Sequence, residues 1–368
     1  MNWTGAMPIQ STYKEQIETP ALLIDLDAME ANIGQMADYF RGRPCQLRPH
    51  AKTHKTPIIA HKQLAAGSAV GVTVAKLGEA AVMIEGGIQD VLIANQVVGP
   101  VKIDRLTDLA TISDPIVAVD APENVAELSR GCREKGVRLR VLVEVDIGMQ
   151  RCGVAPGQAV LALARQVAEA PSLDFAGLLA YEGHLVMVPD AEERSQRLRA
   201  ALNVLAETRD LLAGAGLPPR IISGGGTGTY DVSSSYPPMT EIEAGSYATM
   251  DAKYLTIRSE FLPALTVLAT VISRPAPDRI VTDAGLKAMT KDFGWPEPFQ
   301  APGVTVRGLS EEHGSLIREG GEPLKPGDRV EIVPSHGCTT INLHDVYHVT
   351  RGEQFVGLWP IAARGAIR

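Results

Sequence analysis

Residues 138–181 read RLRVLVEVDIGMQRCGVAPGQAVLALARQVAEAPSLDFAGLLAY. The β-branched, apolar run Arg138–Asp146 predicts a buried strand, and the amphipathic stretch Gln158–Ala170 predicts a helix. A second apolar run, Phe175–Tyr181, predicts the next strand. Because a helix connects the two strands, we expect them to lie parallel in one sheet.

The same alternation extends in both directions, from Cys45 to about Asp251. Eight runs predict strands, and eight β-α units are typical of a closed (β/α)8 TIM barrel, an α/β fold. The segments between them predict further helices: Lys55–Ala66, Leu77–Glu85, Pro122–Lys135 and Glu192–Ala213. The eight predicted strands are Cys45–Lys52, Val70–Ala75, Asp90–Gln96, Ile116–Asp120, Arg138–Asp146, Phe175–Tyr181, Arg220–Ser223 and Glu241–Gly245.

A change of pattern after Asp251 predicts a second, mostly β domain, because short strands there alternate with Pro/Gly turns and no long helix intervenes. Ala21–Leu26 is also strand-like, and whether it joins this domain is open at this stage. We expect the barrel over residues 19–254 and the β domain over residues 1–18 and 255–368. The predicted strands of the second domain are Val267–Ser273, Arg279–Asp283, Val304–Arg307, Arg329–Val333, Asp345–Val349 and Gln354–Trp359.

Composition narrows the class of protein. The 368 residues carry a net charge of −8, from 35 basic and 43 acidic residues, and no basic stripe interleaved with aromatics, which argues against a nucleic-acid partner. No stretch approaches the roughly 18 uninterrupted apolar residues of a membrane helix, and no signal-like segment begins the sequence. The four cysteines lack CxxC spacing. We therefore expect a cytoplasmic protein.

A lysine near the end of the first predicted strand is the first candidate for chemistry. Lys52 is followed by Thr53 and flanked by His50 and His54 at the carboxyl end, where barrels hold their active sites. This is the position of a Schiff-base lysine, but an interior lysine paired with a carboxylate fits equally well. Lys55 competes with Lys52; we expect Lys55 to lie in the following helix and point away, which favours Lys52.

A glycine-rich run after the seventh predicted strand is the second candidate. Its small residues would let the backbone approach a phosphate closely, although a flexible turn is the simpler alternative. The run lacks the spacing of ATP-binding and dinucleotide-binding loops, so a monophosphate cofactor suits it better. A lysine and a monophosphate site in a barrel indicate pyridoxal 5′-phosphate. The run is Ser223, Gly224, Gly225, Gly226, Thr227 and Gly228.

Two further groups complete the candidate site. His336 and Cys338 are separated by one residue, so on a strand they would point to the same side and bind one cation, unless Cys338 is merely packed beside a surface histidine. Arg151 and Tyr181 follow predicted strands and could contact the cofactor ring, or could be an ordinary surface arginine and core tyrosine.

These motifs together resemble the D-threonine aldolase and D-serine dehydratase group of the alanine racemase superfamily, the fold-type III pyridoxal-phosphate enzymes. The resemblance covers nearly the whole chain, from Thr19 to Gly365. The motifs that carry it are Arg48–Lys55, Val98–Pro100, Val143–Asp146 with Arg151–Val154, Gly224–Gly228, Ala244–Ala248, Asp283–Lys287, Glu312–Gly314 and Pro334–His336.

The resemblance implies roles for the candidate residues. Lys52 would hold pyridoxal phosphate covalently with His50 beside it, the Gly224–Thr227 loop with Ser246 and Tyr247 would bind the phosphate, and Tyr181 and Arg151 would contact the cofactor. His336 and Cys338 would hold a divalent metal, Mn²⁺ or Zn²⁺, with Mg²⁺ as a further option. The resemblance also implies a homodimer acting on a small-molecule substrate.

The resemblance implies a lyase acting on D-β-hydroxy-α-amino acids, and the reaction of a D-threonine aldolase, which gives glycine and acetaldehyde, is expected. The alternative is a D-serine or 3-hydroxy-D-aspartate dehydratase, which gives a keto acid and ammonia; a non-catalytic cofactor carrier ranks third. Two residues depart from the aldolase pattern: Cys338 replaces an aspartate, as in the dehydratases, and Met187 replaces a histidine. His184 is the candidate to replace that histidine as a base.

Overall fold

The structure is a computed structural model that describes residues 13–320 and 323–368. Two compact units account for these residues. One unit, here called the β unit, comprises residues 13–34, 53–55 and the described part of 246–364; the other, the barrel unit, comprises 35–52, 56–245 and 365–368. Residues 1–12 of the segment predicted to join the β domain lie outside the described residues.

The division differs from the expected boundaries, because residues 19–34, 53–55 and 246–254 belong to the β unit and residues 365–368 to the barrel unit. Strand β1 (Ala21–Asp25) explains the first difference: it lies in the sheet of the β unit. Helix α1 (Leu26–Phe40), which the sequence pattern did not indicate, follows directly. Residues 26–34 of this helix belong to the β unit and 35–40 to the barrel unit.

All eight strands predicted for the barrel are present and parallel, in the order β2-β9-β8-β7-β6-β5-β4-β3. The two ends of this sheet join through the bridges Leu47–Ala69 and His50–Thr73, and the Val70 N–H donates to the Leu47 carbonyl at 3.0 Å. The predicted closed barrel is therefore confirmed. Its strands are β2 (Gln46–Leu47), β3 (Val72–Val74), β4 (Val91–Gln96), β5 (Ile116–Val119), β6 (Leu139–Glu144), β7 (Leu173–Ala180), β8 (Ile221–Gly224) and β9 (Glu241–Ile242).

Seven helices accompany these strands, and five of them match the predicted segments. Helices α4 and α8, like α1, were not predicted. An apolar cluster that includes Leu92, Ile116, Leu142 and Leu179 forms part of the barrel core. The helices are α2 (Pro57–Ala65), α3 (Leu77–Glu85), α4 (Pro100–Leu109), α5 (Pro122–Lys135), α6 (Gln158–Glu169), α7 (Ala191–Gly214) and α8 (Tyr230–Ser235).

The expectation that Lys55 lies in a helix is wrong. Helix α2 begins at Pro57, and the Thr56 hydroxyl accepts a hydrogen bond from the Ile58 N–H at 3.4 Å as its cap. Proline is favoured at a first helical position and threonine at the cap, so the helix starts two residues after Lys55. Lys55 itself has a positive φ of 54°.

Among the residues that the structure describes, the β unit contains a nine-stranded sheet, in which β1 pairs antiparallel with β10 and parallel with β16. Ala21–Asp25 thus belongs to the second domain, which is discontinuous in sequence, and the six strands predicted after Asp251 are all present. The remaining elements are α9 (Ala252–Leu255), β10 (Leu265–Ser273), β11 (Arg279–Thr282), β12 (Glu297–Pro298), β13 (Val304–Leu309), β14 (Gly314–Arg318), β15 (Arg329–Val333), α10 (Gly337–Ile341), β16 (Val346–Arg351) and β17 (Gln354–Pro360).

Among the described residues, none of the helices has both the length and the apolar character needed to cross a membrane.

Candidate active site

The carboxyl end of the barrel brings three of the predicted residues together. Lys52 Nζ lies 5.7 Å from the centroid of the Tyr181 ring, and Arg151 Cζ lies 5.6 Å from the same centroid. Two cations thus approach one aromatic ring at distances typical of cation–π contacts. Gly183 permits the position of Tyr181, because a Cβ at residue 183 would lie 2.5 Å from the Tyr181 ring.

His50 and Lys52 lie on the segment that leaves β2. The His50 N–H donates to the Ala244 carbonyl at 3.1 Å, and His50 Nδ1 accepts a 3.4 Å hydrogen bond from the backbone N–H of Lys52. His50 is buried and Lys52 is half-buried. The histidine therefore contacts the backbone of the lysine, whose side chain reaches toward Tyr181.

A buried carboxyl group, Glu243, lies in the same region and was not singled out by the sequence. Its Oε1 accepts a 2.8 Å hydrogen bond from the hydroxyl of Ser223, a predicted cofactor residue that is fully buried. Burial raises the pKa of Glu243 to about 7, although the Ser223 hydrogen bond and the positive charge of Lys52 lower it. Glu243 can therefore hold or release a proton near neutral pH.

The glycine-rich loop after β8 is held from inside by a second buried carboxylate, Glu182. This carboxylate accepts hydrogen bonds from the Gly225 N–H at 3.1 Å and from the hydroxyls of Thr229 and Ser233 at 2.8 and 2.7 Å. The Gly226 N–H donates to the Thr229 hydroxyl at 3.1 Å. The N–H groups of Gly225 and Gly226 are therefore hydrogen-bonded within the protein and stabilise the loop itself. A phosphate would be contacted by the other groups of the loop.

Arg151 is positioned by the loop that follows β6. Asp146 accepts hydrogen bonds from the Gly148 and Gln150 N–H groups at 2.9 and 3.0 Å, and the Gln150 contact is the largest of the effects that lower the pKa of Asp146. These bonds close the loop into a tight turn before Arg151. The predicted base His184 is exposed, and its ring packs against Gly148 of this loop.

An acidic cluster lies beside Arg151 at the ends of β5 and β6. Ligand atoms of Asp120, Glu144 and Cys152 lie within 4.8 Å of one another. Gln96 Nε2 donates to Glu144 at 2.5 Å, and Arg151 Nη2 lies 4.0 Å from the other Glu144 oxygen. Burial raises the pKa of Glu144. No role was predicted for these residues from the sequence.

His336 and Cys338 converge in the β unit, but not by the predicted geometry. His336 is the N-cap residue of α10 and Cys338 lies inside this helix, so they do not alternate along a strand. Burial lowers the pKa of His336, but its hydrogen bonds with Cys338 and Asp292 outweigh burial and raise it to about 9. The predicted pair is thus brought together by a helix start.

Two further contacts fix this pair. Gly337 lies between the two candidate ligands in the chain, and its N–H donates a 2.9 Å hydrogen bond to the buried Asp251 carboxylate. Cys338 Sγ lies 3.3 Å from the Thr53 hydroxyl. Thr53 is the residue after Lys52 in the chain.

Ser246 and Tyr247 form a short 3-10 helix, Ser246–Ala248, in the β unit. Both are buried, and the Tyr247 ring centroid lies 5.9 Å from that of Phe261.

Comparisons with known proteins agree with this architecture. The family described as the alanine racemase N-terminal domain matches residues 24–253, and the putative serine dehydratase domain matches residues 264–350. A D-threonine aldolase from an Arthrobacter species is 41% identical over 96% of this chain and 94% of its own length. The chain belongs to the D-threonine aldolase and D-serine dehydratase group of the alanine racemase family.

Other members of this family are nearly as similar. A 3-hydroxy-D-aspartate aldolase from Paracoccus denitrificans is 38% identical over 96% of this chain and 93% of its own length. The crystal structure of a D-threonine aldolase from Filomicrobium marinum superposes with a TM-score of 0.95 at 40% identity, and covers 98% of this chain and 100% of that one. Membership makes this protein an enzyme, and pyridoxal phosphate is the cofactor that the family implies.

The residues present fit that cofactor. An amine, an aromatic ring and a guanidinium converge through Lys52, Tyr181 and Arg151. Gly226 faces the Tyr181 hydroxyl, and a Cβ there would lie 3.8 Å from it, in space that a larger side chain would fill. In the β unit, an imidazole and a thiol are ligands suited to Zn²⁺, and less so to Mg²⁺, which prefers oxygen.

Proposed function

We propose that this enzyme is a pyridoxal-phosphate- and metal-dependent aldolase that cleaves D-β-hydroxy-α-amino acids, with D-threonine giving glycine and acetaldehyde. The observation that carries the proposal is the 41% identity with a D-threonine aldolase over 96% of the chain. The geometry supports it, because the candidate cofactor residues meet at the carboxyl end of the barrel, where barrel enzymes hold their substrates.

We assign the cofactor to Lys52, with His50, Tyr181 and Arg151 beside it and the loop Ser223–Thr227, Ser246 and Tyr247 toward its phosphate. When bound, pyridoxal phosphate supplies an electron sink for negative charge that develops at the substrate Cα. Lys52 offers the amine for covalent attachment, and Tyr181 and Arg151 orient the ring. Ser223 binds Glu243, whose carboxyl group can hold a proton close to Lys52 at neutral pH.

We assign a divalent cation, Zn²⁺ or Mn²⁺, to His336 and Cys338. Such a cation supplies Lewis acidity for the β-hydroxyl of the substrate. His184 remains our candidate for the base that takes the hydroxyl proton, and its exposure leaves it accessible to a small substrate.

Dehydration is the second candidate, and Cys338 favours it because the resemblance associates a histidine–cysteine pair with the dehydratases. A D-threo-3-hydroxyaspartate dehydratase from a Delftia species is 31% identical over 96% of the chain. In that case the cation held by His336 and Cys338 would assist loss of the β-hydroxyl, and the β-carbon would remain in the product.

Product analysis with D-threonine separates the two reactions. The aldolase gives glycine and acetaldehyde, and the dehydratase gives 2-oxobutanoate and ammonia. We expect glycine and acetaldehyde, lost on chelation and restored by Zn²⁺ or Mn²⁺. If only 2-oxobutanoate and ammonia form, the aldolase proposal is wrong; turnover that survives complete chelation contradicts the metal requirement.

We also propose a homodimer in the cytoplasm. The four cysteines, Cys45, Cys132, Cys152 and Cys338, are all free, which suits a reducing compartment.

A further inference from the structure

The imidazole of His336 is held on two sides by residues next to each other in the chain. His336 Nδ1 lies 2.6 Å from Asp292 Oδ2. The ring of Phe293 stacks on the imidazole, with 3.8 Å between ring centroids and 4° between the planes. The hydrogen bond fixes the rotation of the ring in its plane, and the stack fixes the plane itself.

Asp292 is in turn held by hydroxyl groups. Its Oδ1 accepts a 3.0 Å hydrogen bond from Thr339, the residue after Cys338, and the Thr339 hydroxyl lies 2.7 Å from that of Thr290. Both carboxylate oxygens therefore have partners within the protein. This arrangement suits a carboxylate that orients a metal ligand better than one that binds the metal itself.

We propose that Asp292 and Phe293 are positioning residues for the metal site. Asp292 accepts a proton-bearing Nδ1, so the lone pair of His336 lies on Nε2, and Phe293 keeps this nitrogen directed to the side on which Cys338 lies. A carboxylate behind a histidine ligand fixes the tautomer and increases the basicity of the ligating nitrogen. The inference rests on the proposed function only in that a divalent cation occupies this pair.

The test measures Zn²⁺ binding to the cofactor-loaded enzyme after chelation, by isothermal titration of the wild type, Asp292→Ala and Asp292→Asn. We expect about 10- to 100-fold weaker binding for Asp292→Ala. Asp292→Asn should lose less, because the amide oxygen still accepts from Nδ1–H. Glu311→Gln is the matched control: it removes a carboxylate from the same unit whose side chain is 81% exposed, and should bind as the wild type does.

The inference is overturned if Asp292→Ala binds Zn²⁺ within twofold of the wild type, if Asp292→Asn is as weak as Asp292→Ala, or if Glu311→Gln weakens binding equally. Should Asp292→Ala fail to fold, the comparison of Asp292→Asn with Glu311→Gln decides, with at least threefold weaker binding required of the former. A wild type that binds Zn²⁺ but leaves D-threonine intact contradicts the proposed function alone, whereas a wild type that binds no Zn²⁺ overturns this inference as well.

Discussion

At the scale of residues, Lys52 differs from Lys55 in what its side chain reaches. Lys52 Nζ approaches the Tyr181 ring, whereas Lys55 is buried with a positive φ just before α2. The sequence placed both lysines at one strand end and preferred Lys52 for a reason that proved wrong, since Lys55 is not helical. What separates them is the path of the backbone, which depends on Thr56 and Pro57.

Replacing Lys52 by alanine tests its assignment. We expect Lys52→Ala to lose the visible absorbance of covalently held pyridoxal phosphate and to lower kcat by at least about 10²-fold, because both attachment and proton transfer need the amine. Lys55→Ala is the matched control and should keep the absorbance. At residue 55 the positive φ strains alanine as it strains lysine, so this substitution adds no new backbone strain. Absorbance retained in Lys52→Ala and lost in Lys55→Ala would reverse the assignment.

Glu243 predicts a pH dependence of stability. Its folded-state pKa, about 7, is raised above the usual 4.5, so the stabilising contribution of its proton is complete below about pH 4.5 and is lost as pH rises through 7. Glu243→Gln mimics the protonated form at every pH. We therefore expect the Tm of the cofactor-loaded variant, relative to that of the wild type, to increase as the pH is raised from 5 to 8. Thermal melts of both proteins across this range measure the Tm difference. A constant Tm difference across this range would contradict the raised pKa.

At the scale of elements, the loop after β8 contains glycines with two different roles. Gly228 is needed for the fold, whereas Gly226 keeps open the space beside Tyr181. A Cβ at Gly228 would overlap the Val186 carbonyl oxygen, whereas a Cβ at Gly226 would make ordinary contacts of 3.4 Å with Val186 and 3.6 Å with Tyr181. The glycine pattern predicted a phosphate loop, but it gave no sign that Glu182 holds the loop from inside.

The two positions should therefore respond differently to alanine. Gly228→Ala is expected to destabilise the fold by about 1–3 kcal/mol, because backbone must shift. Gly226→Ala should leave the free energy of unfolding within about 1 kcal/mol and instead weaken pyridoxal phosphate binding several-fold, since the methyl group enters the space beside Tyr181. Denaturant unfolding of cofactor-free protein and a cofactor titration measure the two effects. Equal cofactor affinity in Gly226→Ala and the wild type would argue against a cofactor at this loop.

At the scale of the whole molecule, the family resemblance predicts a homodimer. We expect light scattering after size exclusion to give twice the 39.3 kDa of one chain. Zn²⁺ removal should leave this mass unchanged, since His336 and Cys338 contact each other within one chain. A mass of one chain at micromolar concentration would contradict the dimer.

The sequence by itself determined the eight β-α units, the β-rich second part, and the lysine, glycine-loop and histidine–cysteine motifs, because period, turn residues and local motifs are properties of neighbouring residues. Tertiary structure alone decided which distant groups meet: Glu182 with the loop after β8, Glu243 with Ser223, and Asp292 with His336. These pairings join residues 20 to 51 positions apart in the chain. No local pattern encodes them, because each depends on how strands and loops are brought side by side when the chain folds.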